Sequence, residues 1–233
     1  MYSFQSRVRY SEVDSNERLS LDSILNYFQD CSTFHSEDLG VGVEYLKSIG
    51  CGWVLSYWQI NIDRYPCLCE NIRVSTMPYD LKGFLGFRNF IMEDEKGNRV
   101  AYANSLWSFL DLNTGHPTKI PEKVYHSYTL EQKLTMNYEP RKIKIPENGD
   151  KQEVFTIKKN QIDSNHHVNN GQYIQMAFDY LAPDMKIHQM RAEYKKAAFL
   201  DDKVLPIINR EMDRVVVSLC DEEEQPYAIV EFL

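Results

Sequence analysis

Asp163-Ser164-Asn165-His166-His167-Val168-Asn169-Asn170, followed by Tyr173, is the stretch whose reading decides the fold. A carboxylate, an amide and two imidazoles fall within five residues, directly before an amphipathic segment. Such a run puts polar side chains at a helix N-terminus, where free backbone N–H groups can hold a developing anion. A shift of 149 positions lays Val13-Asp14-Ser15-Asn16 on Ile162-Asp163-Ser164-Asn165. Upstream, Arg7-Val8-Arg9 then falls on Thr156-Ile157-Lys158, both alternating as an edge strand does. Downstream, Leu19 falls on Val168, Ile24 on Tyr173 and Leu25 on Ile174. Each half reads as strand, polar turn, helix, so the chain is a duplication in which one copy carries the histidines.

Working outward, Leu21, Ile24, Leu25, Phe28, Cys31 and His35 recur at helical spacing and predict a first helix over Ser20–Leu39, closed by Gly40 and Gly42. Tyr173, Ala177, Tyr180 and Leu181 predict a second over Asn169–Leu181, with Pro183 just beyond. Alternating stretches follow each helix. They are Trp53–Ile62, Asn71–Pro78, Phe84–Glu93 and Val100–Leu110, then Ile187–Ala197, Lys203–Asn209, Arg214–Cys220 and Tyr227–Phe232. The expected organisation is a first domain over 1–116, a linker over 117–149 holding four prolines, and a second domain over 150–233. One helix followed by antiparallel strands, twice, is an α+β fold with each helix wrapped by a sheet.

Composition bounds the function. The 233 residues are 43% hydrophobic, enough for a substantial core, and carry a formal charge of −8. That balance argues against a general nucleic-acid or anionic-membrane binder. No apolar run reaches the length of a membrane span, and the first residues lack a basic and an apolar signal region, so a cytoplasmic protein without integral membrane contact is expected. The five cysteines are scattered; Cys67 and Cys69 alone are close, at a spacing unsuited to zinc, and all five read as reduced thiols. Basic clusters lie at Arg141-Lys142-Lys144, Lys158-Lys159 and Arg191 with Lys195-Lys196.

The pattern Asp163-x-Asn165-x-His167-Val168-Asn169-Asn170-x-x-Tyr173 resembles the active-site segment of the acyl-acyl carrier protein (acyl-ACP) thioesterases, double-hotdog enzymes of plants and bacteria. Trp53-Val54-Leu55, Ile62-x-Arg64-Tyr65-Pro66, Trp107, Lys119-Ile120-Pro121-Glu122 and Glu193-Tyr194-Lys195-Lys196 agree with that family in order. The resemblance covers nearly the whole chain. It implies a tandem hotdog and hydrolysis of fatty acyl-ACP to free fatty acid and acyl carrier protein, with no metal or cofactor. An acyl-CoA thioesterase of the hotdog class and a non-catalytic acyl-binding hotdog are the alternatives. One departure stands out. The family often places a glutamate, and in plants a following cysteine, where this chain has Ala197 and Ala198, which excludes a cysteine nucleophile there.

Thioester hydrolysis needs a positioned water or nucleophile, a base, and donors for the oxyanion. Asp163 is the candidate base, water-orienting carboxylate or nucleophile. Asn165 can orient water or donate to the oxyanion, and His167 can share proton transfer. Backbone N–H groups at the start of the second helix are further oxyanion donors. Asn169 and Tyr173 are candidates for holding substrate and serve equally well as helix cap and helix core. His166 reads as a surface neighbour, and His35 as a satisfied buried or interface histidine. The resemblance assigns the acyl tunnel to the first hotdog, with Trp53, Leu55, Tyr57 and the face from Ile24 to Phe28 as lining, each equally readable as plain core. It also implies an acidic carrier protein that docks on a basic patch, for which Lys195 and Lys196 are the candidates. A duplicated chain already contains the pairing that single hotdogs obtain by dimerising, so monomer and homodimer both fit.

Overall fold

Ser20 accepts from the Ser23 amide and opens helix α1 (Leu21–Asp38). Gly40, at φ +68°, closes it in a left-handed conformation that only glycine adopts without penalty. Leu21, Ile24, Leu25, Phe28 and Cys31 are buried, so the apolar stripe is the packed face. Each such side chain contributes about 1.5–3 kcal/mol on leaving water. The computed structural model describes residues 1–163 and 166–233.

The chain forms two compact units, one of residues 1–56 and 60–138, the other of residues 57–59 and 139–233. In the first, α1 lies on an antiparallel sheet ordered β1 (Tyr2–Arg7), β3 (Asn71–Lys82), β4 (Leu85–Asp94), β5 (Arg99–Asp111), β2 (Cys51–Ile62). Phe28 meets Phe90 with ring centroids 5.3 Å apart. A short helix α2 (Val43–Ser48) follows α1. In the second unit, α4 (Asn170–Phe178) packs on β10 (Arg214–Cys220) and β11 (Pro226–Phe232). Its sheet runs β8 (Gln189–Tyr194), β11, β10, β9 (Lys203–Glu211), β6 (Asp150–Lys151), with β7 (Phe155–Thr156) also on β9. Each unit is a helix against an antiparallel sheet, and the fold is the α+β double hotdog the sequence implies. Among the described residues, no helix is long and apolar enough to cross a membrane.

The region expected as a linker is packed at a few points. Ile120, Val124 and Tyr128, from around α3 (Glu122–Ser127), join Val41, Leu46, Leu81 and Phe109 in one core cluster. The Asn89 carboxamide accepts from the Leu134 amide and the Tyr138 hydroxyl, tying that segment to the first sheet. From Glu139 onward the chain crosses the second sheet. Ile143 is buried against Val216 and Ile229, Arg191 donates to the Pro140 carbonyl, and Glu231 pairs with both Arg191 and Arg214. Polar residues at inward sheet positions there are matched by these partners, as burial requires. The second helix is shorter than its spacing predicts. The Tyr180 and Leu181 amides bond three residues back, so the last turn tightens and the chain leaves the helix before Pro183.

His35 is a half-buried histidine of the first unit. Arg88 Nη1 donates to its Nδ1 at 3.1 Å, so the ring is neutral with its proton on Nε2. Burial, then the nearby Arg88 charge, push the His35 pKa down to about 4. The unfolded chain, with histidine near its ordinary value, therefore binds the extra proton first. Stability is fully present above about pH 6.5 and falls as pH drops toward 4, by on the order of 3 kcal/mol from this residue. Urea unfolding across that range is expected to show this loss, and His35→Gln, which keeps an acceptor but cannot titrate, is expected to flatten it.

Candidate active site

The decisive sequence stretch folds as a closed turn. The Asp163 amide donates to the His167 carbonyl at 2.8 Å, and the His167 amide to Asp163 Oδ1 at 3.3 Å. The Asn169 amide donates to Gln161 O at 3.0 Å. His166, at φ +63°, makes the left-handed corner and is exposed, in keeping with a role as turn residue. Asn169 is the N-cap of α4, its Oδ1 accepting from the Gly171 amide at 2.8 Å. Gln172 N is taken by Asn169 O; Asn170 N has no partner among the described residues.

The same turn recurs in the first unit. Asp14 N donates to Arg18 O at 2.8 Å, Ser20 N to Glu12 O at 2.9 Å, and Glu17 takes the corner at φ +58°. The flanking bridges Val13–Leu19 and Ile162–Val168 also match at the 149-residue offset. Even the lead-in repeats, with Arg9 N on Glu12 Oε2 and Lys158 N on Gln161 Oε1. The duplication read from three identical residues is thus a duplication of backbone hydrogen bonds. Side chains differ at several positions, among them Arg18 in the first copy and His167 in the second.

Each turn is held by a residue after a following strand. Leu19 N donates to Pro66 O at 2.8 Å, and Val168 N to Ala198 O at 2.9 Å. Ala198 is fully buried, and its amide donates to the Tyr173 hydroxyl at 2.9 Å. The Tyr173 ring lies 5.8 Å from that of Tyr194, whose hydroxyl donates to Asn170 O at 3.1 Å. Burial pushes the Tyr173 hydroxyl pKa up to about 12, so it stays protonated. The edge of the His167 ring meets half-exposed Phe199, with centroids 5.0 Å apart.

Asp163, His167, Asn169 and Tyr173 therefore share one assembly; Asn165 lies outside the described residues. Lys195 and Lys196 follow β8 but each is paired, with Glu193 and Asp221 respectively, and Lys196 Nζ also stands 4.6 Å over the Tyr227 ring. Trp53 packs edge-on against Phe109 in the first unit's core, with centroids 4.8 Å apart. Tyr57 belongs to the second unit and is buried. Burial raises its hydroxyl to about 12, against the opposing pull of nearby Arg191. Sequence reasoning missed Ala198 and Phe199 as members of the assembly. The departure from family pattern at Ala197–Ala198 was the one signal there, and it concerned missing side chains, whereas Ala198 acts through its backbone.

With this geometry in place, comparison with known proteins is informative. The acyl-ACP thioesterase N-terminal domain matches residues 1–128, and the acyl-ACP thioesterase C-terminal domain matches residues 143–226. A chloroplastic palmitoyl-acyl carrier protein thioesterase of Gossypium hirsutum is 25% identical over 84% of this chain and 52% of its own. The chain spans about half the length of the curated relatives it matches. An acyl-ACP thioesterase structure from Bacteroides thetaiotaomicron superposes with a TM-score of 0.91 at 24% identity, covering 99% of this chain and 96% of that one. The 12:0-ACP thioesterase of Umbellularia californica gives 0.85 at 17%, covering 99% and 96%. These superpositions establish the fold.

Asn169→Ala removes the cap of α4 and is expected to cost about 1 kcal/mol in denaturant unfolding.

Proposed function

Because the chain belongs to the acyl-ACP thioesterase family, we propose that it hydrolyses a fatty acyl thioester carried on acyl carrier protein, releasing free fatty acid and ending elongation. The observation that carries this reading is the second-unit turn, which sets a carboxylate and an imidazole four residues apart at the mouth of a helix. In the reaction, water adds to the thioester carbon, the C–S bond breaks, and the carrier thiol leaves with a proton. Asp163 takes the proton from the attacking water. His167 passes a proton toward the leaving sulfur, and Asn165 orients water or donates to the oxyanion. The Asn170 amide at the N-terminus of α4 is a further oxyanion donor, since its neighbours are engaged.

Substrate contacts are proposed at Trp53 and Tyr57 for the acyl chain and at Asn169 near the reacting group. Carrier docking is proposed at Lys195 and Lys196, with their charge offset by Glu193 and Asp221. A soluble compartment such as the cytoplasm suits this substrate.

The test is fatty-acid release from a panel of acyl-ACPs and the matching acyl-CoAs, with wild type and Asp163→Ala side by side. Turnover on acyl-ACP that falls at least about 100-fold in the variant is expected, the scale of losing a general base. Better turnover on acyl-CoA replaces the carrier with coenzyme A as substrate. No turnover on either panel makes this an acyl-binding hotdog, and Ala197 and Ala198 the explanation.

A further inference from the structure

We infer that Tyr173 is a positioning residue for the reaction, holding the catalytic turn in register through the backbone of Ala198. This inference rests on the proposed thioesterase activity. A closed path carries it. Val168, next to His167, donates to Ala198 O; Ala198 N donates to the Tyr173 hydroxyl; the Tyr173 ring meets Tyr194, which bonds Asn170 O at the start of α4. Turn, helix start and the end of β8 are thereby locked together. Tyr173 is buried, and its oxygen is already committed to Ala198. That engagement suits a support better than a substrate contact.

The first unit supplies an internal control. The residue matching Tyr173 there is Ile24, fully buried, and the residue matching Ala198 is Pro66, which has no N–H to donate. Leu19 still reaches Pro66 O, and the turn still closes with the same hydrogen bonds. The turn therefore forms without the tyrosine link. Donor and acceptor occur together only in the copy that also carries His167. What the link adds is a fixed distance between that turn and the strand end, and catalytic geometry is sensitive to displacements of this size.

The experiment is steady-state kinetics on the preferred acyl-ACP for wild type, Tyr173→Phe, Ala198→Pro and the double variant, with thermal unfolding of each. Tyr173→Phe is expected to lower kcat by about 10- to 100-fold with KM within about 2-fold, the pattern of lost transition-state alignment. Ala198→Pro, which copies Pro66, is expected to lower kcat to a similar degree, and the double variant is expected to be no worse than either single change. A raised KM with unchanged kcat would make Tyr173 a substrate contact and overturn the inference. A lowered unfolding midpoint with unchanged kcat would reduce it to a stability role and also overturn it. Wild type without turnover on any thioester sinks the activity, and this role with it; active wild type beside an equally active Tyr173→Phe sinks this role alone.

Discussion

The hydrogen bond from Val168 N to Ala198 O is the constraint on which the site depends. It fastens the turn, already closed by the bonds between Asp163 and His167 and by the Ile162–Val168 bridge, to a buried residue that follows β8. Its counterpart, Leu19 N to Pro66 O, does the same in the first unit. The backbone thus provides two similarly closed turns whose surroundings differ. At the first, Arg18 points its guanidinium at Cys67 Sγ, 2.7 Å away. At the second, His167 faces Phe199 beside a carboxylate.

Around these turns, each unit solves the same packing problem. Each buries a helix against a sheet and packs part of the stretch from Ile120 to Pro146. In the first unit Ile120, Val124 and Tyr128 join the core, Tyr128 against His35 of α1, and Asn89 holds Leu134 and Tyr138; in the second, Arg191 holds Pro140 and both Arg191 and Arg214 pair with Glu231. A buried cluster of this kind gives little net stability, since desolvation offsets most of the attraction, but losing one member leaves a charge without its partner. Its worth is in fixing where the crossing segment lies.

Much of this was legible in the sequence because periodicity and turn chemistry are local. The stripe of α1, its glycine end, the strands and the strand–turn–helix frame of each copy all follow from residues a few positions apart. Less visible was anything set by partners distant in sequence. Ala198 carries no functional group, so its place in the site could not be read from its identity. The pairing of Lys196 is not visible in the sequence because Asp221 lies 25 residues away and joins it only through sheet pairing. The tract over 117–149 reads as a linker from its four prolines and several charges, while the burial of Ile120, Val124 and Ile143 is set by partners elsewhere in the chain. The length of α4 was overestimated because its apolar spacing continues past the point where the backbone tightens.

Two turns closed by the same hydrogen bonds are proposed to differ in chemistry, with His167 acting in the second where Arg18 stands in the first. Fatty-acid release by His167→Ala and Arg18→Ala, measured on the same acyl-ACP, tests it most directly. A loss of at least about 100-fold is expected for His167→Ala, the usual scale for a proton-transfer group, and activity within about 2-fold of wild type for Arg18→Ala. Equal losses in both, or a larger loss at Arg18, would contradict it.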